Sequence, residues 1–186
     1  ALRHFHRTAC SCAKNAAKFE KQEKEEESMS KRTISKEAFN DIAESMGLVG
    51  DGVDVYFDLE TSQTIPVTEM DIETIDELSD DSADSQNEMA VSVKQILENV
   101  DGRYLKLPDS FEINQWNVMK NFAEAQTDED YASDLQSAIH GSGAFKKFKK
   151  ILMQHDLETE WYQFRNETFR TMALEWCETN GLTLSE

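Results

Sequence analysis

From Glu37 to Val93 the chain holds no lysine or arginine, and its formal net charge is -18. A field of that sign repels polyanions, so general affinity for nucleic acid or for an anionic membrane is not expected. A local basic site remains compatible with it. No apolar run approaches the roughly 18 residues that a membrane-spanning helix needs. The first residues also lack a secretory signal's apolar core, roughly 7–15 residues long. Three cysteines, two of them in a C-x-C at positions 10 and 12, are too few for a disulfide framework. A reducing cytoplasm is the simplest setting for them. Hydrophobic residues make up 39% of 186 positions and charged residues 30%. That balance predicts one modest core with a polar, unpacked portion.

Residues 1–28 differ from the rest. Arg3, Arg7, Lys14 and Lys18 occur there with no acid before Glu20, and "EKQEKEEES" then leads to Met29. The segment lacks apolar periodicity and is expected to be a non-native or disordered leader, with the folded unit running over 29–186. His4, His6, Cys10 and Cys12 are metal-capable types, but H-x-H and C-x-C miss the usual zinc spacings. No metal or cofactor is expected.

Ser35 reads as an N-cap, with Ile34 and Phe39 as a hydrophobic staple. Phe39, Ile42, Ala43 and Met46 follow at helical spacing, and Gly47 is expected to end the helix in the left-handed conformation. The period then switches to two. Val53, Val55, Phe57 and Leu59 alternate with Asp54, Tyr56 and Asp58, and the chain returns over Thr64 to Val67, which predicts a hairpin with one buried face. Pro66 cannot donate to a ladder, so its strand belongs at an edge. Residues 68–88 are acidic and free of base and read as a solvated linker, with room for a short helix around Ile72 to Leu78. Met89, Val93, Ile96, Leu97 and Val100 suit another amphipathic helix, and "RYLKLP" a short strand that joins the hairpin.

After Pro108 the pattern is helical. Asp109-x-x-Glu112 is a capping box, and Trp116, Met119, Phe122 and Ala123 form an inner face. Thr127-x-x-Asp130 caps the next helix, with Tyr131, Leu135, Ala138 and Ile139 turned inward. "SGAFKKFKKILMQH" is a third helix. The last runs from about Thr159 to Thr179 with Trp161, Phe164, Thr168, Met172, Ala173 and Trp176 in one stripe. The expected fold class is therefore α+β: a small antiparallel sheet, hairpin plus one short strand, with a mainly helical C-terminal half.

Three blocks carry a resemblance: "NQWNVMKNFAEA" from Asn114, "AIHGSGAFKKFKKIL" from Ala138, and "EWYQFRNETFRTMALEWCETNGL" from Glu160. Together they resemble a bacterial family of unknown function, uncharacterised protein family 0158. The likeness runs from about Lys31 to Leu182 and is strongest from Leu107 onward. It implies a domain start near Met29 and a bacterial, cytosolic setting. It implies no reaction, cofactor or partner.

The densest chemistry lies in "GSGAFKKFKK". At about 100° per residue, Lys146, Lys149 and Lys150 share one side of a helix, Phe145, Phe148 and Leu152 share roughly the opposite side, and Lys147 falls between. The first expectation is a solvated lysine face over a phenylalanine core. The second is a phosphate or nucleic-acid site built from Gly141, Ser142, Gly143, Lys146, Lys149 and Lys150 at the helix start. The third is docking of the chain's own acidic segment, 69–88, on the lysines. Arg165 follows Trp161 at i+4 and is expected to stack on its indole. His140 and His155 sit at helix ends, as caps or dipole partners. No nucleophile, base and orienting group fall together, so an enzyme is disfavoured. The expected function is a cytoplasmic, non-enzymatic interaction or regulatory module for a protein partner, with the acidic surface steering it toward basic partners. The alternative is a nucleic-acid or phosphate-ligand binder through the Lys146–Lys150 helix.

Overall fold

A computed structural model describes residues 32–50, 52–77 and 88–185. Residues 1–28, expected as a leader, lie outside the described residues together with their histidines and cysteines. The fold is α+β. Strand β1 (Arg32–Ile34) pairs in parallel with β5 (Leu182–Leu184) in the register Arg32↔Leu182, which ties the two ends of the fold together. Neither strand was expected, since three residues carry no readable period. Helix α1 (Lys36–Ser45) starts at Ser35, whose Oγ accepts from the Ala38 N–H at 3.1 Å. Its Phe39, Ile42, Ala43 and Met46 are buried as expected. Gly47 is not in the left-handed region. Its missing side chain serves packing instead: a Cβ there would lie 3.3 Å from Phe169 Cε2 and 3.2 Å from the Glu44 carbonyl.

The sheet has the order β3-β2-β4, all antiparallel, with β2 (Val53–Asp58) central and β3 (Gln63–Thr68) and β4 (Tyr104–Lys106) at its edges. Pro66 faces Val55 from an edge strand. Val55 and Phe57 point into the main core. The opposite face is also covered, contrary to the one-sided hairpin. Helix α2 (Glu69–Glu77) and helix α3 (Glu88–Glu98) lie over it, and Ile72, Ile75, Val93 and Ile96 enclose Tyr56, Ile65, Val67 and Tyr104. The sequence hid this face because its β2 positions are Asp54, Tyr56 and Asp58. Two of those charges are neutralised locally. Asp58, 2% exposed, accepts from Arg103 Nε at 2.7 Å and Nη2 at 2.6 Å, from the Glu60 N–H and from Thr61 Oγ1, both at 2.9 Å. Lys106 Nζ donates to Asp54 Oδ2 at 2.7 Å. Only part of the expected stripe is inside: Leu97 of α3 and Val100, just beyond its end, are exposed.

The acidic stretch is thus partly helical and packed, with 78–87 outside the described residues. Thr68 starts α2: its N–H and hydroxyl both donate to Asp71, at 2.8 and 2.6 Å, a reciprocal cap that holds the Asp71 carboxyl below its usual range.

The C-terminal half is helical. Asp109 and Glu112 form the capping box of the short α4 (Ser110–Ile113), and Asn114, at φ 42°, both ends α4 and caps α5 (Gln115–Glu124). Asp128, rather than Thr127, caps α6 (Glu129–Ala138) by accepting from Asp130 and Tyr131. Helices α7 (Ala144–Gln154) and α8 (Glu158–Thr179) complete the set. On α5 the inner face is Val118, Met119, Phe122 and Ala123, while Trp116 lies at the surface with its Nε1 donating to the Ile139 carbonyl at 3.0 Å.

Candidate functional site

Four rings organise the packing of α5, α7 and α8. Phe122 meets Trp161 edge-on at 5.3 Å, Phe164 at 5.4 Å and Phe148 at 6.2 Å, and Phe148 meets Trp161 at 4.9 Å. Edge-to-face pairs of this kind each add about 0.5–1.5 kcal/mol beyond area burial. They fix the facing sides of the three helices, and with them everything at the rim of the cluster.

Helix α7 begins at a turn that needs two glycines. Gly141 and Gly143 have φ of 75° and 72°, where a side chain would be strained. Gly143 is the N-cap and supplies no side-chain bond, and Ser142 is exposed. Phe148 and Leu152 are buried as expected, but Phe145 is 42% exposed. Its ring lies at the rim, with Lys149 Nζ 4.8 Å from the centroid. Lys146, Lys147, Lys149 and Lys150 are all exposed, and none forms an ion pair among the described residues. The described part of the acidic segment does not dock on them, because α2 packs on β3 and α3.

Behind Phe145 lies a narrow cleft. Gln115, Val118 and Met119 of α5, Phe145 of α7, and Trp161, Arg165 and Phe169 of α8 line it, and it is nowhere wide enough for a water molecule. Two of these residues carry unpaired donors: among the described residues, Trp161 Nε1 and Arg165 Nε are both buried without a hydrogen-bond partner. Trp161 is only 2% exposed. Gln115 Nε2 is committed to the Val49 carbonyl at 3.3 Å. Arg165 does not stack on Trp161. Its guanidinium lies 5.4 Å from the Tyr162 centroid and 5.5 Å from that of Phe169. The i,i+4 spacing put Arg165 and Trp161 on one face but could not say that both donors would be orphaned. Gln115 and Phe169 had no sequence signal as site residues.

A second, more open groove is lined by Lys106, Leu107, Pro108, Asp109, Glu112, Trp176 and Asn180. Each of its polar side chains makes at least one hydrogen bond: Lys106 to Asp54, Asp109 and Glu112 to each other's backbone, Trp176 Nε1 to the Lys106 carbonyl, Asn180 Nδ2 to the Trp176 carbonyl. The remaining shifted groups are structural. Hydrogen bonding to Arg103 holds the Asp58 carboxyl far below the usual range, and burial pushes the Cys177 thiol up to about 11. His155 bonds Asp134 at 2.9 Å and stacks on Tyr131 at 4.3 Å, joining α6 to the end of α7. His140 is exposed. Among the described residues, no three His, Cys, Asp or Glu side chains converge for a metal. No described helix is long and apolar enough to cross a membrane.

A family model described as uncharacterised protein family UPF0158 matches residues 29–185. The chain belongs to that family. A relative within UPF0158, the UPF0158 protein PA5073 of Pseudomonas aeruginosa, is 30% identical over 88 residues, which cover 47% of this chain and 58% of the relative. No solved structure matches. UPF0158 membership agrees with the resemblance carried by the three C-terminal blocks and brings no activity with it.

Proposed function

We propose that this UPF0158 protein is a non-enzymatic cytoplasmic interaction module, and that the exposed side of α7 is the surface on which a protein partner places a short acidic segment. The observation that carries the reading is the set of four unpaired lysines. In a chain with 37 acids and 19 bases, Lys146, Lys147, Lys149 and Lys150 stay exposed and free of ion pairs among the described residues. Lysines left unpaired in an acidic molecule form a local positive patch. Such a patch orients an incoming partner of the opposite sign and rejects others.

The aromatic chemistry is divided. Base stacking needs a free ring face beside the cations. Phe148 is fully buried and offers none, whereas the exposed Phe145 beside Lys149 favours the nucleic-acid alternative. The net charge of -18, however, repels long polyanions.

The test is capture from a bacterial lysate on the immobilised protein, with and without nuclease, beside the triple variant Lys146→Gln, Lys149→Gln, Lys150→Gln. A protein retained despite nuclease, released by salt and lost in the variant supports the reading. Retention that nuclease abolishes assigns the patch to nucleic acid instead. Equal retention by the variant removes α7 from the interface.

A further inference from the structure

The cleft behind Phe145 holds an unusual combination. Its walls are mostly apolar, from Val118, Met119, Phe145 and Phe169 beside Gln115, yet Trp161 and Arg165 of α8, which also line it, each carry a buried N–H donor that finds no acceptor among the described residues. A buried donor left unsatisfied costs about 1–3 kcal/mol. The fold does not relieve that cost with water, because the space is too narrow for one. The other two tryptophans show the contrast: Trp116 Nε1 donates to the Ile139 carbonyl at 3.0 Å and Trp176 Nε1 to the Lys106 carbonyl at 3.1 Å.

We propose that this cleft is a binding site for a carboxylate carrying a short apolar tail, with Trp161 Nε1 and Arg165 Nε as the two donors. A carboxylate supplies two oxygens to two donors, and its charge is matched by the guanidinium. The tail takes the place of Phe145 against Val118 and Met119. Entry requires Phe145 to swing outward. It stands at the rim and is 42% exposed, and its contact with Lys149 is worth only about 0.5–1 kcal/mol at an exposed site. The cleft does not depend on the lysine patch, so it stands or falls apart from the partner proposed above. Its carboxylate comes either from a free small acid or from the C-terminus of a peptide.

The experiment is a titration of the ¹⁵N-labelled full chain, following the three indole N–H resonances. The probes are butyrate, butanol, methyl butyrate, chloride, and a short peptide ending in leucine with a free or amidated C-terminus. The expected result is a saturable downfield shift of the Trp161 indole alone, with Trp116 and Trp176 as internal controls. A shift with butyrate assigns a free acid. A shift only with the free-ended peptide assigns a chain terminus. Arg165→Gln should weaken either by about 10- to 100-fold, the loss expected for a hydrogen bond to a charged group. The triple lysine variant should bind butyrate as the unaltered chain does, which separates this site from the α7 surface. The proposal is overturned if neither carboxylate moves Trp161, or if butanol, the ester or chloride moves it equally. It is also overturned if a folded Arg165→Gln protein binds undiminished. Should that variant not fold, the ester comparison on the unaltered chain decides.

Discussion

Trp176→Ala tests how the long C-terminal helix is fixed to the sheet. Trp176 is 8% exposed, meets Phe57 of β2 edge-on at 6.2 Å, and donates its Nε1 proton to the Lys106 carbonyl of β4 at 3.1 Å. One side chain thus joins α8 to two of the three strands. Truncation to Ala removes the transfer energy of the ring and leaves a cavity, together about 3–5 kcal/mol for a buried aromatic. The Lys106 carbonyl adds little to that cost, because it borders the open groove and regains water. For a fold of this size each kcal/mol moves Tm by about 2–4 °C, so the drop should be about 6–20 °C. Trp176→Phe keeps most of the ring and loses mainly the hydrogen bond, about 0.5–1.5 kcal/mol net. Urea unfolding followed by far-UV circular dichroism avoids the change in fluorescence that the substitution itself causes. A cost below about 1 kcal/mol for Trp176→Ala, near the range of surface substitutions, would refute the reasoning and place that face of α8 outside the core. Equal costs for Ala and Phe would instead show that the hydrogen bond, not the ring, joins helix to sheet.

The Asp58 carboxyl is depressed chiefly by Arg103, so its stabilisation is complete above the unfolded value of about 3.9 and is lost as pH falls below it. Urea midpoints should therefore decline steeply in acid, and Asp58→Asn should be less stable at neutral pH with a flatter acid limb. An unchanged slope would show that Asp58 is not the controlling group. Asn114→Ala removes a cap on Asn117 and strains a φ of 42°, each worth about 1–2 kcal/mol. Asn114→Gly should recover most of the backbone part, and equal losses for the two would place the cost in the cap alone. Cys177 is buried with its thiol pushed up to about 11, so iodoacetamide at neutral pH should leave it unmodified until urea unfolds the chain. Rapid labelling in native buffer would mean that α8 opens locally.

The elements that follow a period were legible in the sequence, and those that follow a neighbour were not. Helix α1, the β2–β3 hairpin, the edge position of Pro66 and the stripe of α8 all announce themselves by spacing. The pairing of β1 with β5 brings residues 150 positions apart into register, and nothing local in three residues records it. The second face of the sheet was hidden for a related reason. Asp54 and Asp58 read as solvent-facing until Lys106 and Arg103 arrive from β4 and the loop before it. A charge pattern on one strand cannot state which cation will meet it.

The same limit applies to the cleft and explains where it lies. Helical phase put Phe145 on the side of Phe148 and Leu152, yet only the latter two are buried. Phe145 is in the first turn of α7, directly after the Gly141–Gly143 turn, where the helix overhangs the edge of the α5–α8 packing. An apolar residue at the end of a stripe has neighbours on one side only, so it covers the core's rim without being enclosed by it. That placement puts Phe145 beside Trp161 and Arg165 in the lining of the cleft, while Phe122 and Phe148 pack against Trp161 from the core. A side chain so placed can leave without unfolding anything else, because rotamer changes in exposed residues take picoseconds to nanoseconds. A deeper lid, such as Phe148 at full burial between Phe122 and Trp161, would take the core with it. The residue that breaks the helical prediction is therefore also the one that the proposed site requires to move.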